Sequence, residues 1–339
     1  INILEPKMKV PELMKNIDIV NQGESYSLNV SKAKTPKLGK GEVLLKVFSS
    51  GINRADIFQS QGKYPPPSGA SNILGLEVSG EVIKKSADVH TLNIGDKVCA
   101  LLSGGGYAEY ASAHSELCFL IPENIDKFSA SALPEAIFTI WHNIFQLGNL
   151  TKNETILIHG GSSGIGTMGI QIAKIFKNRI IVTAGTEEKC EACINLGADE
   201  AINYRKNDFL SYIQNNVPTK RVDVILDMVG GEYIEKNIRL LRYNGRLIFI
   251  AFINGSKVNI DLLKVMTKKL IITGSTLRSQ SLENKIEIAK SIRKNLWPLA
   301  KSGHIKPVID STYSFTKAME AHNRMKSGEH IGKILLINK

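Results

Sequence analysis

Between Glu154 and Lys177 the chain reads ETILIHGGSSGIGTMGIQIAKIFK, and the residue types at its centre suit a phosphate. Gly160, Gly161, Gly164 and Gly166 crowd one short turn, with Ser162 and Ser163 among them. Set against G-x-G-x-x-G, Gly161 and Gly166 hold the outer places and Ser163 takes the middle one. The Ser163 hydroxyl must therefore point away from a bound pyrophosphate or donate to one of its oxygens. A helix that starts behind such a turn adds unpartnered amides and partial positive charge, which a pyrophosphate satisfies together. Two other groups of residues could do chemistry. Tyr64, beside Lys63, is a titratable residue of QGKYPPPSG at 61–69, where three prolines fix their own φ angles and hold the phenol at a defined edge. Cys190 and Cys193 have the C-x-x-C spacing of a redox or metal pair. They fall inside a predicted helix with no second Cys or His pair beside them, so they read as partly buried helix residues.

The elements around the glycine turn give it context. Thr155 to His159 has strand length and apolar character, and from Gly164 the residues Ile165, Met168, Ile170, Ile172, Ala173 and Phe176 recur at helical spacing. Further strands are expected at Ile180 to Thr183, Ala201 to Tyr204, Val222 to Leu226, Arg246 to Ala251 and Leu270 to Gly274, with a helix over Glu187 to Leu196. Strands alternating with helices predict an α/β fold with a doubly wound parallel sheet. Upstream, residues 16 to 50, Leu76 to Lys84 and Asp96 to Leu101 read as a β-rich region. Ser129 is the expected N-cap of a helix running to Gly148. Downstream come an amphipathic helix over Asn284 to Lys301 interrupted at Pro298, a strand at 305 to 309, a helix over Phe315 to Lys326 and a strand over Lys333 to Ile337.

At 339 residues, 43% hydrophobic and 22% charged, the chain has the composition of a globular protein of two domains. The longest uncharged apolar run, Leu247 to Ile253, is far short of the roughly eighteen residues of a spanning helix. The net charge of +11 is spread thinly over 43 basic residues with 6% aromatic content, which argues against nucleic acid and suits attraction of a phosphorylated cofactor. Four cysteines make no disulfide framework at this length, so a reducing compartment is expected. The cytoplasm fits that best. An organelle stays open, because the chain starts at Ile1 rather than at a methionine and is expected to follow a trimmed leader.

The order of motifs resembles the zinc-independent branch of the medium-chain dehydrogenase/reductase superfamily, the zeta-crystallin-like quinone oxidoreductases. It is carried by GEVLLKV at 41–47, NRADIFQSQGKY at 53–64, ILGLEVSGEV at 73–82, IGDKV at 94–98, GGGYAEY at 104–110 and LPEA at 133–136. The glycine turn, LGADEAINY at 196–204 and IGKILL at 331–336 complete it. The resemblance implies a Rossmann NADP-binding domain over 129–277, with residues 1–128 and 278–339 forming a GroES-like catalytic domain and the active site in the cleft. Zinc alcohol dehydrogenases of this superfamily place a cysteine where this chain has Asn53 and a histidine where it has Leu76. Neither residue here replaces thiolate or imidazole at a tetrahedral zinc, so no metal is expected. Without a Lewis acid, reduction of an electron-poor quinone or enone is the favoured direction.

The same resemblance assigns site residues. Ser163, Gly164 and Ile165 would face the pyrophosphate, and Gly166 would permit close packing of helix on strand. Where an acid would bind a ribose 2′-hydroxyl and repel a 2′-phosphate, the chain has Ala184, Gly185 and Thr186, and the phosphate partners map onto Lys189 and Tyr204. The cofactor is therefore expected to be NADPH, although an inward turn of Glu187 or Glu188 would favour NAD. Asn53 and Thr139 would bond the ribose and carboxamide, along with backbone at Val229, Ala251, Phe252 and Leu277. Asn53 also reads as a helix cap and Thr139 as a helix residue bonding its own backbone. Asn53 and Tyr64 are the catalytic candidates, the phenol stabilising negative charge on the acceptor oxygen or giving it a proton. The activity implied is NADPH-dependent transfer of hydride or electrons to a quinone or activated alkene. A 2-enoyl thioester reductase and a non-catalytic NADPH-binding redox sensor or structural protein are the alternatives. A homodimer through an edge strand at Leu270 to Gly274 is also expected.

Overall fold

The computed structural model describes residues 10–338, so Ile1 and the reading of a trimmed leader lie outside the described residues. Along the chain come β1 (Leu13–Val20), β2 (Ser27–Lys34), β3 (Glu42–Gly51), α1 (Arg54–Ser60), β4 (Glu77–Lys85), β5 (Lys97–Leu101), β6 (Tyr110–His114) and β7 (Cys118–Leu120). Next are α2 (Pro134–Ile140), β8 (Thr155–His159), α3 (Gly164–Ile175), β9 (Arg179–Ala184), α4 (Glu187–Leu196), β10 (Glu200–Asn203), α5 (Phe209–Asn216), β11 (Val222–Asp227), α6 (Tyr233–Leu240), β12 (Leu241–Phe249), α7 (Leu263–Thr267) and β13 (Ile271–Gly274). The chain closes with α8 (Leu282–Asn295), α9 (Trp297–Lys301), β14 (Ile309–Ser314), α10 (Ala318–Ser327) and β15 (Lys333–Ile337).

The described chain divides into two compact units. One holds the residues up to Glu135 with Ser281–Lys290 and everything from Ile309; the other holds Ala136–Gln280 and Ser291–Val308. The first contains a seven-stranded sheet in the order β14-β15-β3-β4-β5-β7, with β6 also on β3, and a separate β1-β2 pair. Its strands pair mostly antiparallel, and its apolar faces close over Val43, Leu45, Val78, Val82 and Val98. In the second, six parallel strands run β10-β9-β8-β11-β12-β13. Every residue of β8 and β11 is buried, as a parallel strand covered on both faces requires. Read by chain order of these strands, the sequence is 3-2-1-4-5-6, the doubly wound Rossmann arrangement whose order reverses between β8 and β11.

Three local expectations need correction. Ser129 does not start a long helix: 129–132 form a 3₁₀ turn whose first two amides are taken by Asp126, and α2 begins at Pro134, which has no N–H to leave unbonded. From Trp141 the helix widens to a π form ending at Gly148, whose N–H donates five residues back to Asn143 O at 2.9 Å. The amphipathic helix over Asn284 to Lys301 is interrupted as expected: α8 and α9 part at Leu296, because Pro298 lacks the N–H to continue and its ring opposes the carbonyl of Lys294. The strand expected at 305–309 begins only at Ile309, beyond Pro307. The fifth parallel strand, expected from Arg246, already pairs at Leu241 and carries an irregularity at Asn244, whose φ is +59°, and Gly245.

Candidate active site

All six strands of the parallel sheet point the same way, so the residues following them gather at one edge. After β8 the chain turns through Gly160 (φ +73°) and Gly161 into α3. A Cβ on Gly166 would lie 2.3 Å from Gly160 O and 2.5 Å from Gly161 O, so this contact of helix on turn excludes any side chain. The Ser163 hydroxyl accepts Gly166 N–H at 3.0 Å as the N-cap of α3, and donation to a phosphate would have to come from the same oxygen's own hydrogen. The next amides, of Gly164 and Ile165, make no hydrogen bond among the described residues. They are the free donors a pyrophosphate needs at a helix start.

The end of β9 suits a larger anion. Gly185 stands there, where a Cβ would come 2.8 Å from the Tyr204 hydroxyl and 3.6 Å from Arg205 Nε. Thr186 caps α4 by accepting Lys189 N–H at 3.2 Å. Glu187 is turned toward the end of β10, where it accepts from Asn203 at 2.9 Å and pairs with Lys206 at 2.8 Å; these bonds hold its carboxyl below the usual range. The Arg205 guanidinium is exposed and forms no ion pair among the described residues. It was not singled out from the sequence, although it directly follows Tyr204. Cys190 and Cys193 are both buried in α4, and burial first, then Cys190, pushes the Cys193 thiol up to about 12. That environment disfavours the thiolate a redox or metal pair uses.

Apart from Asn53, the other residues assigned to this ligand also lie in the second unit. Thr139 is buried on α2, and its carbonyl accepts Asn143 Nδ2 at 2.9 Å while its hydroxyl makes no hydrogen bond among the described residues. Val229 N–H is taken by Asp227 Oδ1 at 2.6 Å and its carbonyl by Asn254 N–H at 2.8 Å, leaving one lone pair of that carbonyl for a ligand. Ala251, following β12, leaves both backbone groups unbonded among the described residues. Phe252 is exposed and accepts Gly255 N–H through its carbonyl, and Leu277 is buried with its carbonyl on Gln280 N–H.

In the first unit Asn53 is the centre of a buried charged cluster. Its Oδ1 accepts Lys333 Nζ at 2.7 Å, its Nδ2 donates to Glu77 Oε1 at 3.0 Å, and Lys333 also pairs with Glu77. The ion pair is almost fully buried, with 5% and 0% of the two side chains exposed. Asn53 is the N-cap of α1, as its type allowed, and Asp56 Oδ2 accepts its N–H at 2.8 Å. Asp56 also receives Gly75 N–H and the Tyr107 hydroxyl, and His322 joins Tyr107 to Tyr26 at 3.2 and 2.9 Å. Burial, with Lys326 adding, lowers His322 to about 3, so this run of side chains carries a neutral imidazole at neutral pH. Tyr64 is half-buried in its proline loop. Glu77 and Lys333 were not assigned from sequence, although each stands in a motif quoted for the resemblance.

The donor set at Asn53 and Leu76 does not fit zinc. The Asn53 carboxamide is held by an ammonium and a carboxylate, and Leu76 is a buried hydrocarbon. No group of three or more His, Cys, Asp or Glu suited to a metal occurs among the described residues.

A parallel sheet with a glycine turn at its switch point, in a chain that also has a β-rich unit built from both ends, defines a two-unit dehydrogenase or reductase. Residues 39–123 match the alcohol dehydrogenase GroES-like domain and residues 164–291 the zinc-binding dehydrogenase domain. Quinone oxidoreductase of Sus scrofa is 30% identical over 87% of this chain and 89% of that protein, and quinone oxidoreductase of Lama guanicoe is 30% identical over 96% and 98%. The structure of Escherichia coli quinone oxidoreductase complexed with NADPH matches with a TM-score of 0.84 at 24% identity, covering 96% of this chain and 100% of that one. The chain belongs to the medium-chain dehydrogenase/reductase family.

Proposed function

We propose that the protein is an NADPH-dependent oxidoreductase, working without zinc, that reduces a quinone or an activated alkene. The observation that carries the cofactor choice is the strand end at Gly185. No acid stands there to repel a 2′-phosphate, and the Tyr204 phenol and the Arg205 guanidinium lie beside it. Lys189, Tyr204 and Arg205 would hold the 2′-phosphate, and the amides of Gly164 and Ile165 the pyrophosphate. The Thr139 hydroxyl, with backbone at Val229, Ala251, Phe252 and Leu277, would fix the nicotinamide end. Bound NADPH supplies a hydride from nicotinamide C4.

The protein's own part is orientation and charge. The Lys333–Glu77 pair locks the Asn53 amide, and Tyr64 would lend its hydroxyl to the oxygen that gains negative charge. The quinone as acceptor is supported by the names of the 30% identical relatives, and the absence of zinc by the Asn53 and Leu76 side chains. A homodimer through β13 is part of the reading, because Ile271 and Ile272 stand exposed along that strand.

One experiment tests it. Purified protein is given NADPH or NADH with a panel of quinones and enones, before and after a chelator, and its mass is measured by light scattering. NADPH should be the better donor, the chelator should leave the rate unchanged, and the mass should be that of a dimer. Better turnover with NADH sinks the phosphate pocket, rate loss on chelation sinks the zinc-free site, and a monomer mass sinks the β13 interface. NADPH binding without oxidation by any acceptor would leave a non-catalytic role.

A further inference from the structure

His159 ends β8 fully buried, one residue before the glycine turn, and its ring has no part in the contacts proposed for NADPH. Its two nitrogens reach opposite sides of the switch point. Nδ1 lies 3.1 Å from the Thr183 hydroxyl on β9, and that oxygen also accepts Gly160 N–H at 3.4 Å. Nε2 lies 2.8 Å from Asn237 Oδ1 on α6. Asn237 in turn donates from Nδ2 to Asp227 Oδ2 at 2.9 Å, and the other oxygen of Asp227 accepts the N–H groups of Val229 and Gly230 at 2.6 and 3.1 Å. Every member of this chain of bonds lies in the second unit.

The bonds have one consistent direction. A carboxylate only accepts, so Asn237 turns its Nδ2 to Asp227 and its carbonyl oxygen to His159. Nε2 therefore carries the proton and donates, and Nδ1 accepts from the Thr183 hydroxyl. The imidazole is neutral, and burial first lowers its pKa, with Asp227 and Asn237 opposing. Its ring meets Phe209 and Tyr233 edge to face, with centroids 4.8 Å away in each case. The two loops at the ends of the chain of bonds also touch, since a Cβ on Gly160 would come 2.8 Å from Met228 Sδ.

We propose that His159 is a positioning residue for the cofactor. Through Thr183 it sets the start of the glycine turn, and through Asn237 and Asp227 it sets the turn at Val229 and Gly230. The backbone assigned to the pyrophosphate and the backbone assigned to the nicotinamide are thereby held at a fixed separation before the ligand arrives, which lowers the ordering cost of binding. Both ring nitrogens are spent within the protein, so the imidazole itself touches no ligand. The proposal rests on the cofactor reading.

The test uses the variants H159F and H159Q and two ligands. H159F keeps a ring against Phe209 and Tyr233 and removes both nitrogen bonds, whereas H159Q can present an amide N–H to Asn237 Oδ1. NADPH spans both backbone segments, and adenosine 2′-phosphate is too short to reach beyond the strand end at Gly185. H159F should bind NADPH roughly tenfold more weakly, the size of a lost buried hydrogen bond, and adenosine 2′-phosphate as wild type does. H159Q should recover most of the NADPH loss. Nitrogen-15 spectra of the cofactor-free wild type, with the His159 signal identified by its absence from H159Q, should show an Nε2–H imidazole that does not titrate between about pH 6 and 8.

An equal loss for both ligands in H159F, no loss at all, or an H159Q variant no better than H159F overturns the proposal. So does an Nδ1–H or protonated ring at neutral pH. If wild type binds neither ligand while the Nε2–H signal stands, it is the cofactor reading that fails, and the positioning role with it.

Discussion

At the edge of the parallel sheet, what a ligand would meet is mostly backbone: amides left over at a helix start and glycines placed where a Cβ would collide. Around Asn53 it is side-chain charge, gathered from positions 24 and 280 residues away. The first region keeps its shape by excluding side chains, and the second by keeping its charges paired. Substitutions should therefore fail differently in the two places, through cofactor affinity at the edge and through folding and chemistry at the cluster.

The harshest way to sharpen the contrast is Lys333→Met. It leaves the fully buried Glu77 carboxylate without its ammonium partner and Asn53 Oδ1 without a donor. Breaking a buried pair from one side costs about 3–5 kcal/mol, so chemical denaturation should show a loss of that size at neutral pH. Replacing both partners, as Lys333→Met with Glu77→Gln, should recover much of it. A single variant as stable as wild type would mean that the pair is not buried as drawn, and the cluster would lose its claim to rigidity.

The same contrast explains what could be read in advance. Strand, glycine turn and helix are neighbours in sequence, so β8, α3 and α4 were legible, and α4 was placed at Glu187 to Leu196 as found. The parallel sheet follows from the alternation of elements. The cluster is another matter. Lys333 reads as one lysine in an apolar strand and Glu77 as one acid near the start of another strand, and nothing local says that they meet. Asn53 and Tyr64 entered through resemblance rather than spacing. Arg205 had a signal, its place directly after Tyr204, but its significance depends on Gly185 being beside it in space. The misplaced helix start at Ser129 has a different cause: Pro134 fixed the real boundary, and capping preference gave way to a missing N–H.

At the sheet edge the expected losses are smaller and fall on one ligand. Lys189→Ala and Arg205→Ala should each weaken NADPH by roughly tenfold to a hundredfold, the range of one charge-assisted hydrogen bond, with NADH binding and thermal stability unchanged. Titration by cofactor fluorescence decides it. An equal loss for both cofactors would place the 2′-phosphate elsewhere. A loss from Lys189→Ala alone would keep the pocket and remove Arg205 from it.

The mildest change expected is Tyr64→Phe, which removes one hydroxyl and leaves the proline loop and its ring in place. If the acceptor is a quinone, its reduced anion is stable enough to take its proton from water, and the phenol contributes only a hydrogen bond to the charged oxygen. Turnover should then fall by less than roughly tenfold while NADPH affinity stays as it was. An enolate from a thioester needs more help, and a fall of roughly a hundredfold or more would be the size of a lost general acid. That result would make Tyr64 the proton donor and move the substrate from quinones toward enoyl thioesters. An unchanged rate with every acceptor would take Tyr64 out of the site, and the chemistry of the first unit would then rest on the charged cluster around Asn53.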